Sequence, residues 1–417
     1  MSISAVVFFF CSFLLVVSFL RQGSDIFSPG RLFALVWSVA IGLAELKISR
    51  LQETWSTESW FTLILGIAGF LLGIFVAFIV NMNKRLVPIE KMRETVRREP
   101  LDSSVFFSFI LAGFALYALS YVVTAMTQGF IPIFSLKAAL RRTEFAVFGF
   151  GVLLHSVVFI LFFVVVYHVM ARGQEDRKRI LKIVAVVTAV TFAFLLQRYQ
   201  LMMAAVMSFV FLYYTTHRIR ASNTAAFLAV AFVLSYAMLS MRTGQIVQQY
   251  LAFASKMRVS TSLAFITEPY MYVVMNLENF ARGVDRIDHV TYGFLTTDFL
   301  LALTGLKHWI TDYFQIDMNP YLISGYNTYT SFWSYYRDFG LLGLIGIEFL
   351  LGLGVGWLYY RMRQAPTLSL ICAYSVAVFV IVLSFFMNVL GLLWFAYNIA
   401  VMFLVLRYVS IRSRVVR

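Results

Sequence analysis

The sequence has few charged residues, few cysteines and few prolines. Charged residues make up 13% of the 417 residues, about half of their usual share in soluble proteins. Hydrophobic residues make up 61%, which is more than one water-soluble core could bury. A soluble globular protein is therefore excluded. The two cysteines, Cys11 and Cys372, both lie in apolar stretches, and the five histidines are scattered, so we expect neither a disulfide framework nor a metal site.

Long apolar stretches take up most of the chain. Eleven of them approach or reach the length that a helix needs to cross a bilayer, where backbone polar groups must be satisfied within the segment. They cover approximately residues 3–20, 32–46, 60–82, 105–126, 150–170, 183–197, 201–216, 224–241, 340–360, 367–388 and 391–406. The sixth and seventh are separated by Arg198, which we place at the tip of a tight hairpin. The sequence therefore predicts an all-α polytopic membrane protein with about 11 transmembrane helices.

The net charge of +14 predicts the orientation of these spans. The alternate loops 21–31, 83–104, 171–182, 217–223, 361–366 and the tail 407–417 hold 21 basic and seven acidic residues, which accounts for the whole excess. Basic loops stay on the cytoplasmic side. We therefore expect the N-terminus outside, the C-terminus in the cytoplasm, membrane lipids as the surroundings and no nucleic acid as a partner.

One outer loop is far longer than the others. Residues 242–339 separate the eighth span from the ninth, and a second outer loop covers 127–149. The long loop is rich in apolar residues, with helical spacing over 246–257 and over 263–280, where Pro269 interrupts the pattern. We therefore divide the chain into the spans 1–241, a helical outer subdomain 242–339, and the last three spans with the tail, 340–417.

An aromatic segment, residues 326–339, lies at the end of this loop. Seven of its 14 residues are aromatic. Two interpretations stay open: an aromatic belt at the membrane interface, and a carbohydrate platform on which sugar rings stack. The polar residues Asn327, Thr328, Arg337 and Asp338 favour the platform, because they could hydrogen-bond to sugar hydroxyls.

Several arginines are predicted to lie on the same outer side as this segment. Arg198 and Arg242 flank spans, while Arg141 and Arg142 lie in the loop 127–149. A guanidinium group partly withdrawn from water seeks an anion and binds phosphate oxygens with two donors. The alternative is that these side chains only reach out to lipid headgroups.

An acidic residue, Glu348, lies within the ninth span. It is eight residues after Gly340, roughly 12 Å along a helix. An acid inside a membrane indicates a functional site. The glycines around it equally favour tight helix packing with a protonated, hydrogen-bonded Glu348.

Three segments resemble the Wzy-type oligosaccharide repeat unit polymerases, which include the O-antigen polymerases. They are Gly129-Phe-Ile-Pro-Ile-Phe with Arg141-Arg142 after it, Gln197-Arg198-Tyr-Gln-Leu201, and Asn327-Thr-Tyr-Thr followed by Tyr336-Arg-Asp-Phe-Gly-Leu-Leu-Gly343. An Arg-x10-Gly pattern described for some members occurs at Arg282 and Gly293. The related O-antigen ligases have a histidine where this chain has Tyr326-Asn327-Thr328, which favours a polymerase.

The resemblance implies a metal-independent, cofactor-independent membrane glycosyltransferase of the GT-C type in the bacterial inner membrane. Its substrates would be oligosaccharides linked to undecaprenyl pyrophosphate, and a chain-length regulator is a possible partner. Arg198 and Arg242 would stabilise the pyrophosphate leaving group, helped by Arg141 or Arg142. The residues expected to bind sugar are Tyr326, Asn327, Thr328, Tyr329, Trp333, Tyr336 and Arg337.

The base that deprotonates the acceptor hydroxyl has two candidates, Asp338 and Glu268. Asp338 could instead form an ion pair with Arg337 that anchors the loop to the ninth span. Two other functions remain as alternatives: a flippase for lipid-linked oligosaccharides, and an O-antigen ligase.

Overall fold

The computed structural model describes residues 2–21, 24–135, 141–142, 144–217, 249–258, 261–310, 317 and 319–415. Within these residues the regular elements are helices, and one isolated antiparallel bridge joins Ser49 to Met257. The α-helices are α1 (Ile3–Phe19), α2 (Pro29–Ala44), α3 (Thr57–Asn81), α4 (Ile89–Arg97), α5 (Ser103–Gln128), α6 (Phe150–Leu154), α7 (Val157–Met170), α8 (Glu175–Ala193), α9 (Tyr199–Thr215), α10 (Thr267–Arg286), α11 (Phe294–Thr304), α12 (Phe332–Gln364), α13 (Leu368–Leu383) and α14 (Leu393–Val415). Short 3-10 helices cover Pro132–Phe134, Thr261–Ile266, Leu306–His308 and Val389–Gly391.

Five helical segments in the described part of the chain are long and apolar enough to cross a membrane. They are Thr57–Asn81, Ser103–Phe134, Phe150–Met170, Phe332–Gln364 and Leu393–Arg412. Five shorter apolar helices, α1, α2, α9, α11 and α13, have 10–17 residues. The prediction of an all-helical polytopic membrane protein is confirmed at this level.

The helices overlap the predicted spans, with some boundaries shifted by five to nine residues. Ten of the eleven predicted stretches coincide with helices, and the eighth, 224–241, lies outside the described residues. The break at Arg198 is confirmed, because α8 ends at Ala193 and α9 begins at Tyr199. The break contains Leu196, whose φ of 58° lies in the left-handed region and interrupts the right-handed helix.

The chain divides into two compact units. The first unit contains Met1–Lys84, Thr243–Tyr360 and Val380–Leu393, and the second contains Arg85–Arg242, Arg361–Phe379 and Trp394–Arg417. The long outer loop therefore shares a unit with the first three helices. Each unit is described separately below.

The first unit is built around α10, which packs against α2 and α3. In its core, the Phe33 and Phe70 rings stack with centroids 4.0 Å apart, and Trp37 stacks on Phe332 at 4.4 Å. The sequence pattern indicated that Pro269 interrupts this helix. In the structure Pro269 lies in the first turn of the helix and does not interrupt it. Proline is tolerated there because the first N–H groups of a helix have no partner within the helix. Of the other predicted loop helix, residues 249–257 are described, and 249–254 of these are helical.

Helices α3 and α12 approach each other through glycines. A Cβ atom added at Gly69 would lie 2.9 Å from the carbonyl oxygen of Ile345. Added at Gly73 or Gly352, it would overlap the backbone of the opposite helix, at Phe349 and Phe70 respectively. Small residues allow such backbone contact between membrane helices, so this glycine seam fixes the spacing of α3 and α12.

Helix α12 is kinked at Gly340. The backbone there has φ 66° and ψ −164°, a conformation that residues with a side chain essentially do not adopt. The kink separates the short segment 332–339 from the long segment that follows. The carbonyls of Arg337 and Asp338 accept hydrogen bonds from the backbone N–H groups of Thr291 and Tyr292, at 2.9 and 3.0 Å. These two hydrogen bonds, next to the kink, attach the loop to the start of α12.

The second unit contains α4 to α9, the last four residues of α12, and parts of α13 and α14. Phe106 and Phe163 meet edge to face in its core, with centroids 5.0 Å apart. Glu99 accepts a hydrogen bond of 2.6 Å from the backbone N–H of Leu368, which satisfies an N–H at the beginning of α13.

Candidate functional site

The predicted site residues belong to two different units. Arg141, Arg142 and Arg198 are in the second unit, whereas Glu268 and the aromatic segment 326–339 are in the first. Arg242 lies outside the described residues.

Most of the aromatic segment packs into the core of the first unit. Tyr329, Trp333 and Tyr336 are 4%, 2% and 6% exposed. Trp333 stacks on Tyr329 with ring centroids 4.3 Å apart and its ring covers Gly283. Sugar stacking on these rings stays a prediction, because it requires access to faces that the protein itself covers here.

The polar part of the segment is divided between surface and interior. Asn327 is exposed. Thr328 donates through its hydroxyl to the side-chain oxygen of Asn276, and its carbonyl accepts from Asn279 at 2.8 Å. Tyr326 is half-buried and its hydroxyl lies 2.8 Å from that of Ser255. Asn327 is therefore the most accessible of these residues.

Asp338 is completely buried and its carboxylate carries four hydrogen bonds. Oδ1 accepts from the Thr291 hydroxyl at 2.5 Å and from the Leu295 N–H at 3.1 Å. Oδ2 accepts from the N–H and the hydroxyl of Thr296, at 2.7 and 2.6 Å. Since a carboxylate at a helix N-terminus satisfies N–H groups and complements the helix dipole, Asp338 anchors α11. The ion pair of Asp338 with Arg337 that the sequence left open is absent from the described residues: Asp338 binds these groups, and Arg337 binds Asp288 and His289.

Arg337 is buried against an Asp–His pair that sequence reasoning did not single out. Its Nη1 donates to the carbonyl oxygen of His289 and lies 3.7 Å from Oδ1 of Asp288. Its Nη2 lies 3.1 Å from Nε2 of His289, and Nδ1 of His289 lies 2.6 Å from Oδ1 of Asp288. Because arginine can only donate, this geometry assigns the imidazole proton to Nδ1. The sequence could not reveal this contact, because 48 residues separate Arg337 from His289.

Three buried polar atoms nearby have no hydrogen-bond partner among the described residues. They are Nε of Arg282, Nε of Arg337 and the hydroxyl oxygen of Tyr329. Burial raises the pKa of Tyr329, Asp317 adds to the rise, and the charges of Arg282 and Arg337 oppose it. Arg282 is also the arginine of the Arg-x10-Gly pattern. Two guanidinium groups and a phenol with unused hydrogen-bonding capacity favour an anionic or hydroxyl-bearing ligand.

Glu268 lies in the first turn of α10. Burial raises the pKa of the Tyr326 phenol, a hydrogen bond with Ser255 lowers it, and the negative charge of Glu268 raises it further. Glu268 is therefore close enough to the aromatic segment for its charge to affect the Tyr326 phenol.

A second cluster missed by sequence reasoning centres on Glu278, which is 3% exposed. Lys47 Nζ lies 2.7 Å from its Oε1, and Gln52 donates to the same oxygen at 3.3 Å. Burial raises the pKa of Glu278, although the Lys47 charge opposes the rise. The cluster joins the loop after α2 to α10.

In the second unit, Arg198 immediately precedes α9. Next to it, the amide nitrogen of buried Gln200 lies 3.1 Å from Nδ1 of His155, and the amide oxygen has no hydrogen-bond partner among the described residues. The N–H groups at the beginning of a helix attract anions. Arg198 thus places a positive charge at this helix end, and the Gln200 amide oxygen is an unused hydrogen-bond acceptor beside it.

The two arginines of the loop 127–149 differ in exposure. Arg141 is exposed, pairs with Glu144 at 3.3 Å and lies over the Phe130 ring at 4.7 Å. Arg142 is half-buried. Exposed ion pairs hold a side chain only weakly, so Arg141 can exchange Glu144 for another anion. Within the described ranges, no three His, Cys, Asp or Glu residues are grouped as metal ligands.

Comparison with known proteins gives no relative for this chain. No family model, no curated protein and no solved structure matches it.

Proposed function

We propose that the protein polymerises oligosaccharide repeat units carried on undecaprenyl pyrophosphate, on the outer face of the bacterial inner membrane. In this proposal it has eleven spans, a GT-C-type arrangement, an N-terminus outside and a C-terminus in the cytoplasm. The apolar helices and the segments that resemble Wzy-type polymerases support it.

The observation that carries the proposal is the set of unused donors at Arg282 and Arg337, beside the Tyr329 hydroxyl. These three residues lie in or next to the segment with the strongest resemblance. Buried guanidinium nitrogens rarely stay without a partner. A substrate rich in phosphate and hydroxyl oxygens would supply the missing acceptors.

The reaction transfers the growing glycan from its lipid carrier to a second lipid-linked unit. The acceptor hydroxyl oxygen forms a bond to the anomeric carbon of the donor, and the bond from that carbon to the pyrophosphate oxygen breaks. The electron pair leaves with the lipid pyrophosphate, where Arg198 and Arg242, with Arg141 or Arg142, stabilise the negative charge.

The proton of the acceptor hydroxyl must pass to a base. Asp338 already accepts four hydrogen bonds, so releasing one would loosen α11. We therefore assign the proton to Glu268, in the first turn of α10.

The test is chain elongation by the purified protein in detergent, supplied with a lipid-linked repeat unit and no nucleotide sugar. We expect Arg198→Ala and Arg282→Ala each to lower the elongation rate by about 100-fold or more, with unchanged yield of folded protein. Arg198→Lys should recover only part of the rate, because lysine lacks the forked donors. Arg179→Ala, which removes an exposed arginine of α8, is the control and should elongate normally.

Other outcomes distinguish the alternatives. A single transfer to lipid A core, without a ladder, would identify a ligase. Movement of the lipid-linked unit across vesicles without any new glycosidic bond would identify a flippase. Normal ladders from both arginine variants would refute the assigned anion sites.

A further inference from the structure

Glu348 lies deep in the first unit, on the membrane-spanning part of α12, and the proposed reaction does not use it. It is 3% exposed. No described residue gives its carboxyl group a hydrogen bond or an ion pair. An ionised carboxylate without a partner is very unfavourable in a site of low dielectric constant, so its charge must be removed or balanced.

A cavity of about 20 Å³ adjoins Glu348, which is room for one water molecule. Its polar lining comes from Ser331, Tyr335, Ser384, Asn388 and Glu348, and the remaining lining side chains are apolar, among them Phe33 of α2 and Phe70 of α3. Of the groups that line it, Tyr335 and Glu348 can titrate. No lining residue is basic, so the lining offers no cation to balance a carboxylate.

The hydrogen bonds around the cavity show which groups can still take a partner. Asn388 Oδ1 already accepts from the Tyr335 hydroxyl at 3.3 Å and from the Leu390 N–H at 3.1 Å. The Ser384 hydroxyl accepts from Trp37 Nε1 at 3.0 Å and donates to the carbonyl oxygen of Ile381 at 2.9 Å.

Besides the Glu348 carboxyl group, the groups left over are one hydroxyl and one amide nitrogen. The Ser331 hydroxyl is buried and has no partner among the described residues, and the Asn388 amide nitrogen has no acceptor among them. A divalent metal cation needs about six oxygen ligands, and the Asn388 and Ser384 oxygens are already engaged, which leaves only Glu348 and the hydroxyls of Ser331 and Tyr335. A neutral acid and a water molecule, in contrast, can supply a partner for the Ser331 hydroxyl and for the Asn388 amide nitrogen.

We propose that Glu348 is a proton-binding site, and that one water molecule in this cavity joins its protonated carboxyl group to Ser331 and Asn388. The acid O–H donates to the water, which also accepts from the Asn388 amide and donates to the Ser331 oxygen. The site connects the membrane-spanning part of α12 to Ser331, which belongs to the aromatic segment 326–339. It does not depend on the proposed polymerase activity.

The test is infrared difference spectroscopy of the purified protein near neutral pH. We expect a carbonyl-stretch band of a protonated carboxylic acid, which Glu348→Gln removes and which shifts in deuterated water. Glu58→Gln, which changes an exposed acid of α3, is the control and should leave the band in place. Wild-type spectra without such a band would overturn the proposal, even if Glu348→Gln fails to fold.

Two further measurements separate water and proton from other occupants. Ser331→Ala should move the band, because the water loses one hydrogen-bond partner, and an unmoved band would refute the bridge to Ser331. Adding sodium at constant pH should leave the band unchanged. A band that disappears with sodium would show a cation site in place of the proton site.

Discussion

At the scale of single residues, two buried carboxylates of the first unit are held in opposite ways. Asp338 is surrounded by hydroxyl and backbone N–H donors, whereas Glu278 has a cation, Lys47, at 2.7 Å. Donors from the backbone hold the carboxylate rigidly and organise the loop around it. Glu278 also accepts hydrogen bonds from Gln52 at 3.3 Å and from the Glu53 N–H at 3.2 Å, but Lys47 is its only ion-pair partner among the described residues.

The assignments of Asp338 and Glu268 can be separated by exchanging each acid for its amide. We expect Glu268→Gln to lower the elongation rate by about 100-fold or more and to leave the melting temperature unchanged. Asp338→Asn should lower the free energy of unfolding by about 2–3 kcal/mol, because the new NH2 group faces N–H and O–H donors. A stable but inactive Asp338→Asn protein, with an active Glu268→Gln protein, would reverse the assignment of the base.

Removing Lys47 should make the free energy of unfolding depend more strongly on pH. The pKa of Glu278 is raised by burial in spite of Lys47, so the folded state binds this proton more tightly than the unfolded state. The contribution of Glu278 to the free energy of unfolding is therefore greatest below the ordinary carboxyl pKa, and it falls as the pH rises through the raised value. Lys47→Met raises the pKa further, so we expect a loss of about 3 kcal/mol at about pH 8 and a smaller loss at about pH 5.

Denaturant unfolding in detergent at the two pH values measures this difference. Lys91→Met, at an exposed position, should cost little at either pH. Adding Glu278→Gln to Lys47→Met should abolish the difference between the two pH values. An equal loss at both values in the single variant would show that Lys47 acts through packing alone.

At the scale of elements, the kink of α12 depends on the backbone conformation of one glycine. Its contribution to the free energy of unfolding can be measured by substitution. Gly340 and Gly346 lie in the same helix, and a Cβ atom added at either would meet no atom within 4 Å. Gly340 has the non-helical conformation. The pair therefore separates backbone conformation from packing.

Gly340→Ala should lower the free energy of unfolding by about 1–3 kcal/mol, because alanine disfavours this backbone conformation. Gly346→Ala should be neutral or stabilising by up to about 1 kcal/mol. Thermal unfolding of the two variants side by side makes the comparison. Equal stability of both would mean that α12 straightens at no cost, contrary to the docking of Thr291 and Tyr292 onto it.

The sequence predicted the helices better than their contacts. The helices could be located because lipid requires long apolar helices, and long apolar stretches are visible in the sequence. The contacts of the site join distant positions: 231 residues separate Lys47 from Glu278 and 42 separate Thr296 from Asp338. Pro269 was misread because a proline that interrupts a pattern and one that begins a helix look alike until the boundary is known.

At the scale of the whole molecule, the distribution of charge predicts orientation, and labelling can check it. In a background with Cys11 and Cys372 replaced by serine, Asn319→Cys and Lys91→Cys would each place one thiol at an exposed position. We expect a membrane-impermeant thiol reagent to label Asn319→Cys in intact cells and Lys91→Cys only after the membrane is opened, because basic loops stay inside. Labelling of Lys91→Cys in intact cells would invert the topology.

The glycine seam between α3 and α12 has a consequence for how the protein is made. Gly73 and Phe349 are in contact, yet α4 to α9 are synthesised between them. During translation α3 therefore enters the membrane long before its partner exists, and its small-residue face must meet lipid or the insertion machinery. The first unit is completed only when most of the second has left the ribosome, so ribosomes stalled before α12 should yield a protease-sensitive first unit.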